Sequence, residues 1–204
     1  VPYPASLCVS VNDEVVHAIP RSDRILQEGD VVGLDIGMAW PSQEFRIKNL
    51  EFRNSRSMFT DMAVTVGVGK VSSGAERLIR ATKEALDNGI RAVKLGAHVG
   101  DISFSIQEHL EKYKLGIIRD LAGHGVGYAV HEEPLIPNFG KPGTGPELKE
   151  GMVLAIEPMA TLGDWRLKLD DDEWTFRTKD ASLAAHFEHT VAIVDNRSEI
   201  LTLC

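Results

Sequence analysis

Cysteine is scarce in this 204-residue chain: there are two, Cys8 and Cys204, near opposite ends. Two such distant thiols make neither a disulfide framework nor a cysteine-based zinc site, so a reducing compartment, the cytoplasm, is the expected location. Long apolar runs are missing too, so no segment reaches membrane length, and no secretory leader opens the chain. Positive charge is in short supply, with 22 Lys and Arg against 30 Asp and Glu and a formal net charge of -8. That balance is ill suited to neutralising phosphates, which excludes nucleic acid and leaves peptides, small molecules or cations as partners. An initiator methionine is absent: the chain opens "VPYPAS", and an upstream segment is expected. Several catalytic signatures also fail. "HEEP" at His131–Pro134 lacks the second histidine of a helical zinc protease, and "VGVGKVSS" lacks the first glycine and final hydroxyl of a phosphate loop. "GHGVG" brings its third glycine one residue early for a dinucleotide fingerprint, and no G-x-S-x-G elbow occurs. Asn196-Arg197-Ser198 fits a glycosylation acceptor by chance, since nothing else speaks for secretion.

What is present reads as a single domain over 1–204, long enough for one well-buried core. "SLCVSVNDEVV", "DVVGLDIGMAW" and "DMAVTVGVG" have the period-two character of strands. Between the last two, Phe45 to Phe52 reads as a hairpin with Arg46 facing Glu51 and Glu44 facing Arg53, inside an insertion around 40–57. From Ser72 to Gly96 the period changes to that of a helix, with a capping-box pattern at Ser73 and Glu76. Asp101 is the candidate N-cap of a second helix that ends near Gly116. After a Gly- and Pro-rich loop, "GMVLAIEPMA", the hairpin-like "WRLKLDDDEWTF" and "LAAHFEHTVAIV" read as strands. Strands, two helices, then strands again predict an α+β fold, a mostly antiparallel sheet with the helices on one face.

Four carboxylates stand inside strands that otherwise read as buried. Asp35 shares a face with Val31, Gly33 and Gly37; Asp61 with Ala63 and Thr65; Glu157 with Val153, Ala155 and Met159; Glu188 with His186, Thr190 and Ala192. Any one of them is compatible with a solvent-facing sheet surface. If the four faces converge, the charges repel in a poorly solvated place at several kcal/mol each unless cations or protons offset them. Two divalent cations would neutralise all four, and His124, held between Gly123 and Gly125, could supply a nitrogen ligand. A histidine that merely packs in a turn is the alternative for His124. Glu132 and Glu133 read as surface groups or as supports behind the ligands.

Asp, Asp, His, Glu and Glu in that order, inside "GHGVGYAVHEEP", "AIEPM" and "HFEHTV", resemble the type I methionine aminopeptidases over nearly the whole chain. "YPASLCVSVNDEVVHAIP", which carries His17, and "DEWTF" ahead of "SLAAHFEHT" resemble that family more than the related creatinases and proline peptidases. The resemblance implies the pita-bread fold with pseudo-twofold symmetry. It implies two divalent cations (Co, Mn, Fe or Zn), bridged by Asp61 and Glu188, with Asp35 on one ion and His124 and Glu157 on the other. It further implies excision of the N-terminal methionine from nascent chains with a small second residue, by a hydroxide bridging the metals. His17 and His131 would contact the scissile amide, Glu157 would shuttle protons, and Tyr3, Cys8, Val130, Met159 and Trp174 would line the methionine pocket. The family usually carries an aromatic residue where Val130 stands, so a roomier pocket is expected. It joins its two aspartates by a short turn, whereas the 40–57 insertion separates Asp35 from Asp61. A monomer in transient contact with the ribosome is the expected state; a proline-specific peptidase and a non-catalytic binding protein on the same scaffold are the alternatives.

Overall fold

The structure, a computed structural model, describes residues 2–40 and 57–203 and, between them, the backbone of 46–47 and 50–51. The chain begins with β1 (Cys8–Val11), β2 (Glu14–Val16) and β3 (Val31–Trp40). The short pair β4 (Arg46–Ile47) and β5 (Leu50–Glu51) and then β6 (Met58–Gly67) follow. Helices α1 (Ser73–Ala92) and α2 (Val99–Lys112) come next, then β7 (Gly116–Ile117), β8 (Ala122–Gly125) and β9 (Glu132–Pro137). The last third holds β10 (Val153–Ile156), β11 (Met159–Thr161), β12 (Leu167–Leu169), β13 (Phe176–Thr178), β14 (Ala184–His186), β15 (Glu188–Val194) and β16 (Arg197–Ile200). Arg46 pairs with Glu51 across β4 and β5, as the charge pattern predicts; Glu44 and Arg53 lie outside the described residues.

Seven strands form one antiparallel sheet in the order β1-β3-β6-β15-β10-β8-β9, with β16 alongside β15. The junction of β6 with β15 sits between two three-stranded units, β1-β3-β6 and β15-β10-β8, the arrangement expected of a pseudo-twofold fold. Both helices pack on one face. Leu78, Ala85 and Leu86 of α1 and Ile102, Ile106 and Leu110 of α2 share a core cluster with Leu154, Ile156, Val191 and Ile193 of the sheet. Each large side chain buried there contributes roughly 1.5–3 kcal/mol. Gly89 brings the helices together, because a Cβ there would stand 3.0 Å from Ile106 Cγ1.

β6 and β15 pair through the backbone only at Ala63–Glu188 and Met62–His189. On either side, threonine hydroxyls continue the ladder. Thr65 Oγ1 donates to the carbonyl of His186 (2.7 Å) and accepts from its N–H (2.9 Å). Thr190 Oγ1 does the same for Asp61, at 2.8 Å in both directions. Two strands remote in sequence are thereby held in one register where the carboxylates project.

The helix starts differ from expectation by a few residues. Ser72, not Ser73, caps α1, its side chain accepting from Ala75 N. α2 begins at Val99 behind His98, so Asp101 is not the cap itself but sits in the first turn. Its carboxylate accepts from His98 N (2.7 Å) and from Gly143 N (2.9 Å) in the following loop. These two bonds, from His98 first and Gly143 second, hold the Asp101 carboxyl below its ordinary range. Asp101→Ala is expected to destabilise the fold by about 1 kcal/mol at neutral pH, measured by urea unfolding. Because the folded-state pKa is depressed, the native advantage is present above about pH 4 and is lost as pH falls through the lowered value.

Candidate active site

Strand register gathers the predicted ligands on the sheet face turned away from the helices. Cys8 pairs with Asp35, Asp35 with Ala63 and Ala63 with Glu188. Extending β10 by one residue in the same register sets Glu157 opposite Glu188. The neighbouring row runs Gly37, Asp61, Thr190, Ala155, His124, its Asp61–Thr190 step made by the hydroxyl bonds. All five residues thus occupy two adjacent rows, separated by small side chains that leave space above the sheet.

The distances agree. Asp61, His124 and Glu188 each bring a ligand atom within 4.8 Å of the others. His124 Nε2 lies 3.6 Å from Glu157 Oε1. Its Nδ1 meets the carbonyl of Gly125 at 3.0 Å, a bond that fixes the proton on Nδ1 and leaves the Nε2 lone pair for a cation. His124 sits where the pairing of β8 with β9 shifts register, with the extra residues on β9.

The glycines beside His124 serve the neighbouring strands. A Cβ at Gly123 would fall 2.5 Å from the carbonyl of Ala155, and one at Gly125 would fall 2.2 Å from that of Glu133. Glu132 closes the turn after them by accepting from Ala129 N (2.7 Å).

Electrostatics mark the cluster as incomplete without cations. Burial first, then the charges of Asp35 and Glu157, push the Asp61 carboxyl up to about 7. Burial, followed by Glu157, Asp61 and Asp35, raises Glu188 well above the carboxylate range. Among the described residues, Glu188 Oε1 is buried without a hydrogen-bond partner, as is Nε2 of His186. Oxygen donors with one imidazole, in a buried place short of positive charge, fit a site for divalent cations such as Mn, Fe, Co or Zn.

His186 is the residue the sequence analysis assigned no role, although it shares Glu188's face. Its Nε2 stands 3.3 Å from Glu157 Oε2 and 3.9 Å from Glu188 Oε2. Burial alone would lower its pKa, but the contact with Glu157, followed by Asp35 and Asp61, raises it on balance.

Beside the cluster opens a cavity of about 440 Å³ walled by Tyr3, Cys8, Val130, Trp174, His17 and His131 together with Asp35 and Asp61. The Tyr3 and Trp174 rings meet edge to face at 5.2 Å, and Tyr3 Oη donates to Ala18 O. Burial pushes the Cys8 thiol up to about 11, so it faces the cavity as a neutral, soft group. Met159 is fully buried among Val15, Val16, Ile118 and Ala184 and is not among the residues that wall this cavity. A second cavity, of about 120 Å³, lies between Val16, Leu121 and Ala122 and the polar groups His17, His124, His131 and Glu157. His17 and His131 therefore border both. Burial is the main cause that lowers the pKa of each. His17 holds a left-handed backbone (φ 58°) against the Phe176 ring, and the His131 ring lies 4.4 Å from that of His124.

Comparison with known proteins agrees with this geometry. Residues 50–195 match the metallopeptidase family M24. The methionine aminopeptidase of Clostridium acetobutylicum is 45% identical over 99% of this chain and 75% of its own length. That of Aquifex aeolicus is 46% identical over 99% and 73%. The crystal structure of methionine aminopeptidase from Thermotoga maritima superposes with a TM-score of 0.87 at 44% identity, covering 96% of this chain and 73% of that one. A prolidase from Pyrococcus furiosus, at 23% identity and a TM-score of 0.66, shares the fold alone. The chain has the pita-bread fold and belongs to metallopeptidase family M24, among the methionine aminopeptidases.

Proposed function

We propose that this aminopeptidase removes the N-terminal methionine of nascent proteins and peptides whose second residue is small, using two divalent cations held by Asp35, Asp61, His124, Glu157 and Glu188. The observation that carries this reading is the convergence of Asp61, His124 and Glu188 within 4.8 Å beside a cavity walled by Tyr3, Cys8 and Trp174. When bound, the cations supply Lewis acidity and a water acidic enough to attack near neutral pH. In this reading Asp61 and Glu188 would be shared between the ions, Asp35 would hold one, and His124 with Glu157 would hold the other.

The remaining steps belong to the chain. The methionine side chain enters the larger cavity, where thiol and aromatic surfaces suit a thioether. The second residue then meets the smaller cavity, whose size favours small side chains. His131 and His17, held neutral, present ring N–H groups to the carbonyl oxygen as it gains charge. Glu157 exchanges protons between the attacking water and the departing amine. Among the described residues no helix is long and apolar enough to cross a membrane. A proline-specific peptidase is the competing chemistry on this fold, and the relatives do not favour it.

Offered Met-Gly and Ala-Pro peptides, the metal-loaded protein is expected to release methionine and to leave Ala-Pro intact; release of alanine alone would refute the specificity. Asp61→Asn is expected to abolish turnover, and His131→Ala to lower kcat by about 10²–10³ while metal content, read by elemental analysis, stays the same.

The raised carboxyls of Asp61 and Glu188 also set the stability of the ion-free protein. The folded state binds their protons more tightly than the unfolded chain, so this contribution is full below about pH 4 and is lost as pH rises toward about 7. Chelator-treated protein is therefore expected to melt at lower temperature at about pH 7.5 than at about pH 5. Mn²⁺ or Co²⁺ at a hundred times its dissociation constant restores about 2.7 kcal/mol. Glu188→Gln is expected to raise the melting temperature without metal and to shrink the metal-induced gain, both readable by scanning calorimetry.

A further inference from the structure

We infer that His186 is a positioning residue: its Nε2–H holds the outer oxygen of Glu157, so that the other oxygen alone turns toward the cation shared with His124. The inference rests on the metal-site reading above and deepens it.

Three observations carry it. The two oxygens of Glu157 have different neighbours, with Oε1 3.6 Å from His124 Nε2 and Oε2 3.3 Å from His186 Nε2. His186 is only 4% exposed, and among the described residues its buried Nε2 has no hydrogen-bond partner. Its place in the register puts it behind the carboxylates. Asp35, Glu188 and Glu157 occupy one row, and Asp61 and His124 the next. His186 belongs to the row on the opposite flank, joined to Thr65 through both its N–H and its carbonyl. It therefore approaches Glu157 and Glu188 from the side away from Asp61 and His124, where it reaches ligand oxygens rather than the space between the ligands.

The chemistry follows from the carboxylate. A free carboxylate beside a cation can bind through one oxygen or both, and its rotation about the last side-chain bond is soft. A donor 3.3 Å from Oε2 needs only a few tenths of an ångström to reach hydrogen-bond distance as the cation draws in Oε1. It then fixes the one-oxygen mode and orients the lone pair of Oε1. Oε2 keeps a second lone pair for proton exchange. The anchor is rigid, because Thr65 grips the backbone of His186 and Phe187 turns the opposite way into the helix-side core.

The test is Co²⁺ binding to the full chain, followed by titration calorimetry and by visible absorption, with His186→Leu, His186→Ala and His186→Gln. Leu and Ala remove the donor with opposite packing consequences, while Gln keeps an N–H at similar reach. The expected result is a loss of about 10- to 100-fold in affinity for one of the two ions in both apolar variants, together with a changed Co²⁺ spectrum. His186→Gln is expected to stay within about fivefold of the native chain, because outer hydrogen bonds to a ligand, not the imidazole itself, set the affinity. Native affinity in either folded apolar variant would overturn the inference. Equal impairment in His186→Gln would overturn it too, by making the imidazole itself a ligand. Should the native chain bind no Co²⁺, the metal-site reading itself falls, an outcome distinct from both.

Discussion

Mutual repulsion among four carboxylates on one face of a sheet is the constraint around which this molecule is arranged. Asp35, Glu188 and Glu157 lie in one cross-strand row and Asp61 in the next, with Ala63, Thr190 and Ala155 between them. Small side chains at those points leave a hollow where larger ones would have filled it. A face of this kind cannot close by packing, since each ionised group there costs several kcal/mol to desolvate. The fold answers by fixing the strands from the other side. Helices α1 and α2 cover the apolar face, and Thr65 and Thr190 bind the β6–β15 seam on either side of its two backbone pairs. Strand positions are thus decided away from the charges, and the charges are left for cations to satisfy.

A second acidic cluster shows the contrast. Glu14 is as inaccessible as Glu188, at 5% against 2% exposure. Glu14 nevertheless has Arg24 across both oxygens, Arg177 at 2.6 Å and Val11 N at 2.6 Å. Arg177 reaches on to Asp13 and Asp170. Removing one member of such a group leaves an uncompensated buried charge, at about 3–5 kcal/mol, so its task is structural. It ties β2, which leads into His17, to the β12–β13 hairpin that carries Trp174. Among the described residues, Glu188 has no cation beside it beyond an imidazole at 3.9 Å. Burial is shared by the two glutamates; partnership separates them, and partnership is what distinguishes a clasp from a ligand.

The sequence makes the candidate ligands legible because period-two strands expose a misplaced carboxylate at once. Asp35, Asp61, Glu157 and Glu188 each break a pattern that otherwise reads as core. Register between strands is not legible in the same way. The contact of Thr65 with His186 spans 121 residues, and no local pattern announces it. For that reason His186 passed as one more polar residue on a sheet face. "LAAHFEHTVAIV" also reads as one strand, yet it changes partners at Phe187, with β14 pairing to β11 and β15 to β6 and β10. Helix starts slipped by one residue at Ser72 and by three at His98, because adjacent serines compete for one cap and Asp101 serves a cap from inside the helix. Met159, a pocket position by the family resemblance, pairs with His186 at the edge of β11 and packs into the small core beneath.

Specificity in this architecture comes from inequality between two spaces. His17 and His131 stand between cavities of about 440 and 120 Å³, so a peptide bond held at these rings has its two flanking side chains in very different surroundings. The larger space has a neutral thiol, two aromatic rings and the branched Val130. Soft surfaces of this kind reward a flexible thioether by contact without demanding one shape. The smaller space has Leu121, Ala122 and Val16 as apolar walls, with His124 and Glu157 as its polar side. A bulky second residue would have to displace either a wall packed on the core or a metal ligand. Widening that cavity would therefore disturb the candidate ligands, whereas the larger cavity can change lining without touching His124 or Glu157. In the proposed binding mode, strictness toward the second residue follows from where the candidate ligands sit.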